Sequence, residues 1–280
     1  MSEVTSQVGD HIRLWRQRRR LSQLELALEA EISTRHLSFV ETGRAAPSRD
    51  MILTLSEALK IPLRDQNMIL MAGGFAPMFP ERPLDAPELN SARAAIEIVL
   101  QSHLPYPAFA VDRRWRIVAS NRALPQIYGA VAPEMLQPPV NALRLSLHPN
   151  GMAPRILNLE EWRAHIFARL REQIAVSADP SLIDLYAELR TYRSRTGHDP
   201  MMHADPRSST VIPFRVASPT GPLSFFTTTM VFGTPLDITL SELAVEFFFP
   251  ADPDTVARVA SLANEIAAVR SELMTSDVID

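Results

Sequence analysis

This chain of 280 residues contains no cysteine and only nine glycines. Without cysteine it can form no disulfide framework, thiolate nucleophile or Cys-ligated metal site, and a reducing compartment is its natural setting. The N-terminus lacks the basic and then apolar pattern of a signal peptide, and apolar runs such as 244–250 are far too short to span a bilayer. These absences predict a cytoplasmic protein with no membrane partner.

The net charge of −4 favours no class of partner by itself, but its distribution is uneven. Residues 1–75 carry 10 basic and 9 acidic side chains, whereas residues 81–280 carry 18 and 23. Five arginines lie within eight residues near the N-terminus: Arg13, Arg16, Arg18, Arg19 and Arg20. Such a cluster can neutralise phosphates, and it can equally be a solvated helix face.

Proline marks a domain boundary. The stretch 75–87 contains four prolines in 13 residues, and neither a helix nor a central strand can run through it. With 46% apolar residues, the chain can bury two cores. We therefore predict a first domain at 1–74, a linker at 75–87, a second domain at 88–255, and a C-terminal helix and tail at 256–280.

Helical periodicity accounts for all of the first domain. Five apolar stripes are present: Val8, Ile12 and Trp15; Leu24, Ala27 and Leu28; Leu37, Val40 and Glu41; Ile52, Leu55 and Leu59; Leu63, Met68 and Met71. Ser22 and Ser33 are N-cap residue types, and Gly43 followed by Pro47 terminates the third helix. The pattern predicts a compact all-α bundle.

The second and third predicted helices are separated by only a few residues. This spacing is typical of a helix-turn-helix, whose second helix enters the DNA major groove, although an ordinary helical hairpin has similar spacing. Leu37 and Val40 would hold the third helix to the bundle. The outward positions, which we predict to face DNA, are Ser33, Thr34, Arg35, His36 and Ser38.

Residues 21–63, LSQLELALEAEISTRHLSFVETGRAAPSRDMILTLSEALKIPL, resemble the lambda-repressor-like, Xre-type transcriptional regulators, and the resemblance extends over residues 8–72. It implies an all-α helix-turn-helix bundle in which Gln23 contacts phosphate or a base edge. It also implies groove contacts by Thr34, Arg35, His36 and Phe39, and backbone contacts by Arg44 and Arg49. Glu31 stands where the family usually has a turn glycine, so we expect a left-handed or near-bridge backbone there.

Individual side chains of this segment suggest specific roles. Arg35 can form a bidentate contact with guanine, and Phe39 can contact a thymine methyl or pack against its own domain. Glu41, beside apolar Val40, more plausibly pairs internally with Arg16 than meets DNA phosphate, as the resemblance also implies.

The second domain mixes strands with helices. Residues 108–121 read as two strands that lead into a short helix, and 210–232 read as a hairpin with Pro-Thr-Gly at its tip. Between them, the segments beginning at Asn158 and Pro180 are helical. The pattern predicts an α+β domain.

The order strand, turn, strand, Asn and helix resembles the start of a PAS domain. The segments PYPAFAVDRRWRIVASN, PPVNALRLSLHPNGMAPRI, NLEEWRAHIFARL and LSFFTTTMVFGTPLDITLSELAVEFFFPAD resemble the PAS-like C-terminal domain of MmyB-type regulators. This resemblance implies an antiparallel sheet with helices around a small-molecule cavity, and a ligand sensor for which fatty-acid-like molecules are candidates.

Candidate ligand contacts fall into two groups. Phe109, Ile117, Phe226 and Met230 occupy alternating apolar strand positions, which can line a cavity or simply fill the core. Arg144, His148 and Arg155 can hold a ligand carboxylate, or they can form structural ion pairs and a solvated loop.

No enzyme signature is present. His198, Asp199 and His203 offer metal-ligand atoms, but Pro200 places them in a loop without a nearby third histidine. The chain contains no glycine-rich phosphate loop or nucleophile elbow. A haem ligated by His103 or His148 would rest on a lone histidine. We predict no enzyme and no cofactor beyond a bound fatty acid or similar apolar molecule.

The predicted partners are double-stranded DNA with two half-sites, a small-molecule effector and a second copy of the chain. The homodimer would form through residues 88–280. The C-terminal stripe of Val256, Val259, Ala263, Ile266 and Leu273 either covers its own domain or forms a dimer seam. A second hypothesis makes the C-terminal domain a dimerisation or protein-interaction module without a ligand.

Overall fold

The computed structural model describes the backbone of residues 2–129, 131–192, 212–233 and 235–263, with side chains from residue 8 onwards. The chain forms two compact units, the first made of 1–83 with 234–241 and the second of 84–233 with 242–280. Each unit has its own hydrophobic core.

Five helices form most of the first unit: α1 (Ser2–Arg18), α2 (Gln23–Glu29), α3 (Thr34–Glu41), α4 (Arg49–Ala58) and α5 (Leu63–Ala72). The first, third and fourth predicted stripes are buried in its core. Gly9 lets α1 approach α3 closely, because a Cβ atom at this position would lie 2.3 Å from the carbonyl oxygen of Val40. The predicted helix-turn-helix bundle is confirmed.

The predicted stripes of α2 and α5 are partly wrong in phase, since only Ala27 of the three predicted α2 positions is buried. Leu24 and Leu28 are 59% and 71% exposed, whereas Leu26 and Ala27 are buried. On α5, Ile69 and Leu70 are buried in place of Met68 and Met71. Both helices are short and carry apolar residues on more than one face, so periodicity alone leaves open which face packs inward.

Local interactions define the ends of the central helices. Ser22 and Glu25 form a reciprocal capping box at the start of α2. The hydroxyl of Ser33 accepts a hydrogen bond from the His36 N–H at the start of α3. At the end of α3, Gly43 has φ 68° and allows the Schellman pattern, in which the Arg44 N–H donates to the Phe39 carbonyl. Glu31 has φ 53°, so the expected left-handed turn is confirmed.

The second unit is an α+β fold with a five-stranded sheet in the order β2-β1-β5-β4-β3, in which every neighbouring pair is antiparallel. The strands are β1 (Ala108–Val111), β2 (Ile117–Ser120), β3 (Phe214–Ser218), β4 (Gly221–Val231) and β5 (Ala244–Pro250). Its helices include α6 (Asn90–Ser102), α7 (Leu124–Tyr128), α8 (Ala142–Leu147), α9 (Leu159–Ser177) and α10 (Pro180–Thr191). The predicted PAS-like α+β class is confirmed.

The two faces of this sheet have different surroundings. Alternation turns Phe109, Glu246 and Phe248 towards one face of the sheet. Phe214 lies on the same face, and its ring contacts the ring of Trp162 on α9. The opposite face carries Phe247 and lies beside α6. The first face is the inner face, and the second is the outer face.

Between β4 and β5 the chain passes through the first unit. Helix α11 (Ile238–Ser241) packs against α5, and Ile238 is 2% exposed. The Ile238 N–H donates to the Pro80 carbonyl at 2.9 Å, and Arg82 pairs with the buried Asp237 carboxylate at 2.9 Å. This packing explains why the compact unit extends to Pro83, inside the predicted linker.

Residues 253–263 are helical. Val259 and Leu262 are buried in the core of the second unit, and Val256 is 43% exposed. Ile266 and Leu273 of the predicted stripe lie outside the described residues. Among the helices of the described ranges, none combines the length and apolar character needed to cross a membrane.

Candidate DNA-reading helix and ligand cavity

Helix α3 presents a polar surface beside a buried one. Leu37, Val40 and Glu41 are buried, Ser33 and Arg35 are exposed, and the remaining predicted contacts are partly exposed, namely Thr34, His36, Ser38 and Phe39. The Arg35 guanidinium lies 5.4 Å from the centre of the Phe39 ring one turn later, which orients both side chains on the same face. Arg44 and Arg49, which follow α3 and begin α4, are exposed.

A polar cluster holds α3 against α1 and α2. The Arg16 guanidinium donates to both carboxylate oxygens of Glu41, at 2.6 and 2.8 Å, so the predicted internal pair is confirmed. The Gln23 amide also donates to Glu41, at 2.8 Å. The Glu41 carboxylate raises the pKa of Arg16. Gln23 therefore supports the recognition helix from within the protein, in addition to its predicted DNA contact.

The N-terminal arginines divide between structural and exposed positions. Arg16 belongs to the cluster with Glu41, and Arg19 donates to the carbonyls of Leu59 and Lys60 at the end of α4. Arg13, Arg18 and Arg20 are exposed. Part of the run thus stabilises the bundle, and the exposed part remains available to a polyanion.

The second unit contains a cavity of about 60 Å³ between the inner sheet face and the helices. This volume is several times what one buried water molecule needs. Most of the side chains around the cavity are apolar. The complete lining consists of Phe109, Trp115, Ile117, Leu124, Ile127, Tyr128, Ala142, Leu143, Leu145, Ser146, Met152, Trp162, Ile166, Arg169, Phe214, Thr227, Glu246 and Phe248. An apolar space with few polar groups is typical of a small-molecule site.

Trp115 is held in the cavity wall by an unusual backbone. It has φ 63°, which is costly for an aromatic residue, in the turn between β1 and β2. Its indole N–H donates to Gln173 on α9 at 2.8 Å, and the Asp112 side chain accepts hydrogen bonds from the N–H groups on both sides of it. Strain supported in this way is characteristic of functional sites.

One side of the cavity is ionic. The Arg169 guanidinium donates to both oxygens of Glu246, at 2.8 and 3.1 Å, and lies 4.9 Å from the centre of the Trp115 ring. Thr229 Oγ1 donates to Glu246 at 2.9 Å. The Glu246 side chain is 4% exposed and that of Arg169 is 30% exposed. The pair therefore joins the apolar interior to the solvent.

Burial shifts the pKa of two neighbouring groups in the direction that favours their neutral forms. The phenol of Tyr128 lines the cavity, and desolvation raises its pKa. His165 stacks on Trp162 with ring centres 5.3 Å apart. Burial lowers the pKa of His165, Arg169 lowers it further, and Glu246 partly opposes both effects.

Two of the four predicted apolar ligand contacts lie at the cavity, and two do not. Phe109 and Ile117 line the cavity. Phe226 and Met230 lie on the outer face, 39% and 36% exposed, because alternation along β4 turns Phe225 and Thr227 towards the inner face instead. The prediction that Phe226 and Met230 contact a ligand in this cavity is therefore wrong.

The three predicted polar contacts do not line the cavity, and they make structural contacts instead. Arg144 forms a bidentate pair with Glu188, at 2.7 and 2.6 Å. Arg155 donates to the carbonyls of Ile127 and Ala217. His148 accepts from the Asn150 N–H. These contacts favour the structural alternative that the sequence left open.

Sequence reasoning missed Trp115, Trp162, Arg169 and Glu246 as cavity residues. A signal for Glu246 exists, since it is a single carboxylate within the apolar strand AVEFFFP. A charge on the inward register of such a strand requires a partner. Arg169 also lies on the same face of α9 as Trp162 and Ile166, at helical spacing.

The remaining candidates were histidines and an aspartate that could bind haem or a metal ion. The His103 ring contacts Phe247 and Phe249, and its Nε2 lies 2.9 Å from the Phe248 carbonyl oxygen. His198, Asp199 and His203 lie outside the described residues. Within the part of the chain that is described, no group of His, Asp or Glu side chains is arranged to hold a metal ion.

An exposed recognition helix on one unit and an apolar cavity in the other define a DNA-binding regulator with a ligand-binding domain. Residues 12–66 match the helix-turn-helix family model. Residues 92–262 match the model of the MmyB-like transcription regulator ligand binding domain, and the chain belongs to this family. Both families are regulator modules rather than enzyme families.

The chain is similar to two solved structures, one over a short part of it and the other over almost all of it. The restriction-modification controller protein C.AhdI from Aeromonas hydrophila is 31% identical, with a TM-score of 0.21, over 22% of this chain and 94% of that one. An RNA-binding light-oxygen-voltage receptor is 12% identical, with a TM-score of 0.25, over 97% of this chain and 66% of that one. These TM-scores carry no argument about the fold. No curated protein matches the chain.

Proposed function

We propose that this protein is a homodimeric transcription regulator of the cytoplasm, which reads two DNA half-sites and responds to a small apolar ligand of fatty-acid-like character. The observation that carries the ligand proposal is the apolar cavity beside the inner sheet face, with Trp115 and Trp162 in its wall. An apolar space beside two tryptophan rings, with one ionic side, is the kind of site that small molecules occupy.

The DNA-reading proposal rests on the exposed face of α3. Arg35 is exposed near the N-terminal end of the helix, the end that approaches base edges in helix-turn-helix proteins. Arg44 and Arg49 lie after α3, where exposed arginines can neutralise phosphates. We therefore assign base reading to Arg35 and backbone positioning to Arg44.

The test begins with selection of bound sequences from random double-stranded DNA by the full-length protein. Arg35→Ala should lower affinity for the selected site by about 1–3 kcal/mol and relax preference at one base pair. Arg44→Ala should weaken all sequences alike and reduce the salt slope by about one. Equal behaviour of the two variants would contradict these assignments.

Dimerisation is supported by the need for two half-sites and by apolar side chains on the outer sheet face. A single helix-turn-helix reads few base pairs, so specificity generally requires a two-fold dimer. Phe226, Met230 and Phe249 are each more than a third exposed on that face, as is common at protein interfaces. We expect the 88–280 fragment to sediment as a dimer. A monomeric fragment, together with monomeric full-length protein off DNA, would overturn this part of the proposal.

Ligand binding is tested by native mass spectrometry of the purified full-length protein. A copurifying apolar small molecule that is lost on denaturation supports the sensor. A protein that carries no molecule and binds none from a lipid extract supports the dimerisation module instead.

A further inference from the structure

The ionic side of the cavity restricts the chemistry of the ligand. Arg169 and Glu246 both line the cavity, and their side chains are joined by two hydrogen bonds, at 2.8 and 3.1 Å. Since the guanidinium and the carboxylate neutralise each other, the pair offers the ligand no net charge. It offers a donor and an acceptor side by side.

A carboxylate ligand would meet an unfavourable arrangement here. It would have to share Arg169 with Glu246, which is 4% exposed and already accepts two guanidinium hydrogen bonds and one from Thr229. The cluster would then contain two carboxylates and one guanidinium. The two carboxylates would then repel each other beside a Glu246 side chain that is 4% exposed, where water screens the repulsion poorly.

An uncharged head group meets a complementary arrangement. A carbonyl or hydroxyl oxygen can accept from the guanidinium, and an N–H or O–H can donate to the carboxylate, so both hydrogen-bonding functions are satisfied. The other polar groups around the cavity are the hydroxyls of Ser146, Thr227 and Tyr128, which are also neutral donors and acceptors. The indole N–H groups of Trp115 and Trp162 are neutral as well, and they donate to Gln173 and Ser146. None of them supplies the positive charge that an ionised acid would need.

We propose that the cavity binds an uncharged amphiphile, with an alkyl tail among Phe109, Trp162 and Phe248 and an amide or alcohol head group on the Arg169–Glu246 pair. This proposal rests on the ligand-sensing function proposed above and narrows it from fatty-acid-like molecules to neutral ones. The 30% exposure of Arg169 places the head group towards solvent and the tail towards the interior.

The experiment compares octanamide with octanoate, because the two have the same chain and nearly the same shape and differ in charge. Binding to the full-length protein is measured by calorimetry and by tryptophan emission, since Trp115 and Trp162 line the cavity. We expect octanamide to bind at least about tenfold more tightly than octanoate, the ratio that one unfavourable charge interaction of moderate strength produces.

Two variants, each of which removes one negative charge, test whether the Arg169–Glu246 pair causes the preference for octanamide. Glu246→Gln frees the guanidinium at the cavity and should reverse or abolish the preference for octanamide. Glu188→Gln frees Arg144 from an equally bidentate pair that does not line the cavity, and it should leave the preference unchanged. Both substitutions remove one negative charge, so a general charge effect would change both alike.

The outcomes are distinct. Tighter binding of octanoate than of octanamide by the wild-type protein would overturn the neutral head group while leaving the sensor intact, and this comparison does not depend on folding of any variant. An identical response of the two variants would also overturn it. If the wild-type protein binds neither probe, the ligand-sensing function fails, and this inference fails with it.

Discussion

Removal of either member of the Arg16–Glu41 pair should destabilise the DNA-binding unit, and the two removals should differ in size. The Glu41 side chain is 2% exposed and that of Arg16 is 12% exposed. Arg16→Ala leaves a buried carboxylate with only the Gln23 amide, whereas Glu41→Ala leaves a guanidinium that still donates to the Leu21 carbonyl and can reach water. We expect about 3–5 kcal/mol for Arg16→Ala and a smaller loss for Glu41→Ala.

The assay is urea unfolding in a background in which Trp115 and Trp162 are replaced by Phe, so that Trp15 of the first unit alone reports. The double variant should lose much less than the sum of the single variants, with a coupling of about 1–3 kcal/mol. The control is the Arg64–Glu81 pair, whose side chains are 25% and 52% exposed and whose coupling should stay below about 1 kcal/mol. Additive losses for Arg16 and Glu41 would refute the reasoning.

Three further predictions concern packing and pH. Gly9→Ala should destabilise the first unit by about 1–3 kcal/mol in the same urea assay, because the added Cβ would meet the Val40 carbonyl oxygen at 2.3 Å; an unchanged midpoint would contradict this. Ile238→Ala should cost the first unit about 2–5 kcal/mol in that assay, since the side chain is 2% exposed, and an unchanged unfolding midpoint of Trp15 emission would contradict its place in the first unit. Burial lowers the pKa of His165, so the folded state resists protonation and stability should fall as pH drops below about 6.5, the ordinary histidine pKa. His165→Gln should flatten this part of the profile, and a parallel profile would exclude His165 as its cause.

Local signals made the DNA-binding unit predictable from sequence. Ser33 and Gly43 define the two ends of α3 through contacts within a few residues, and Glu31 takes the turn conformation that a glycine would otherwise supply. Such contacts depend little on the rest of the fold. The buried faces of α2 and α5 were assigned wrongly because they depend on which neighbours pack against them, as the exposed Leu24 and Leu28 show.

The cavity was less predictable because its polar side is a tertiary feature. Arg169 and Glu246 are separated by 77 residues and come together only when α9 packs on β5. The inward register of β4 was also undetermined, since adjacent Phe225 and Phe226 are both apolar and only one can face the core. The residue type of Arg144 and Arg155 suggested contacts with a ligand carboxylate, but in the fold their guanidinium groups bind Glu188 and the Ile127 carbonyl.

A regulator that responds to a ligand must couple its cavity to DNA binding, and a single titration measures this coupling. Full-length protein is bound to fluorescently labelled DNA of the selected sequence, and octanamide is added while anisotropy reports the DNA affinity and tryptophan emission reports the cavity. We predict that saturation of the cavity changes the DNA dissociation constant by about fivefold or more, the scale of a typical allosteric coupling. A DNA affinity that stays constant while the cavity fills would show that the protein is not regulated through this cavity.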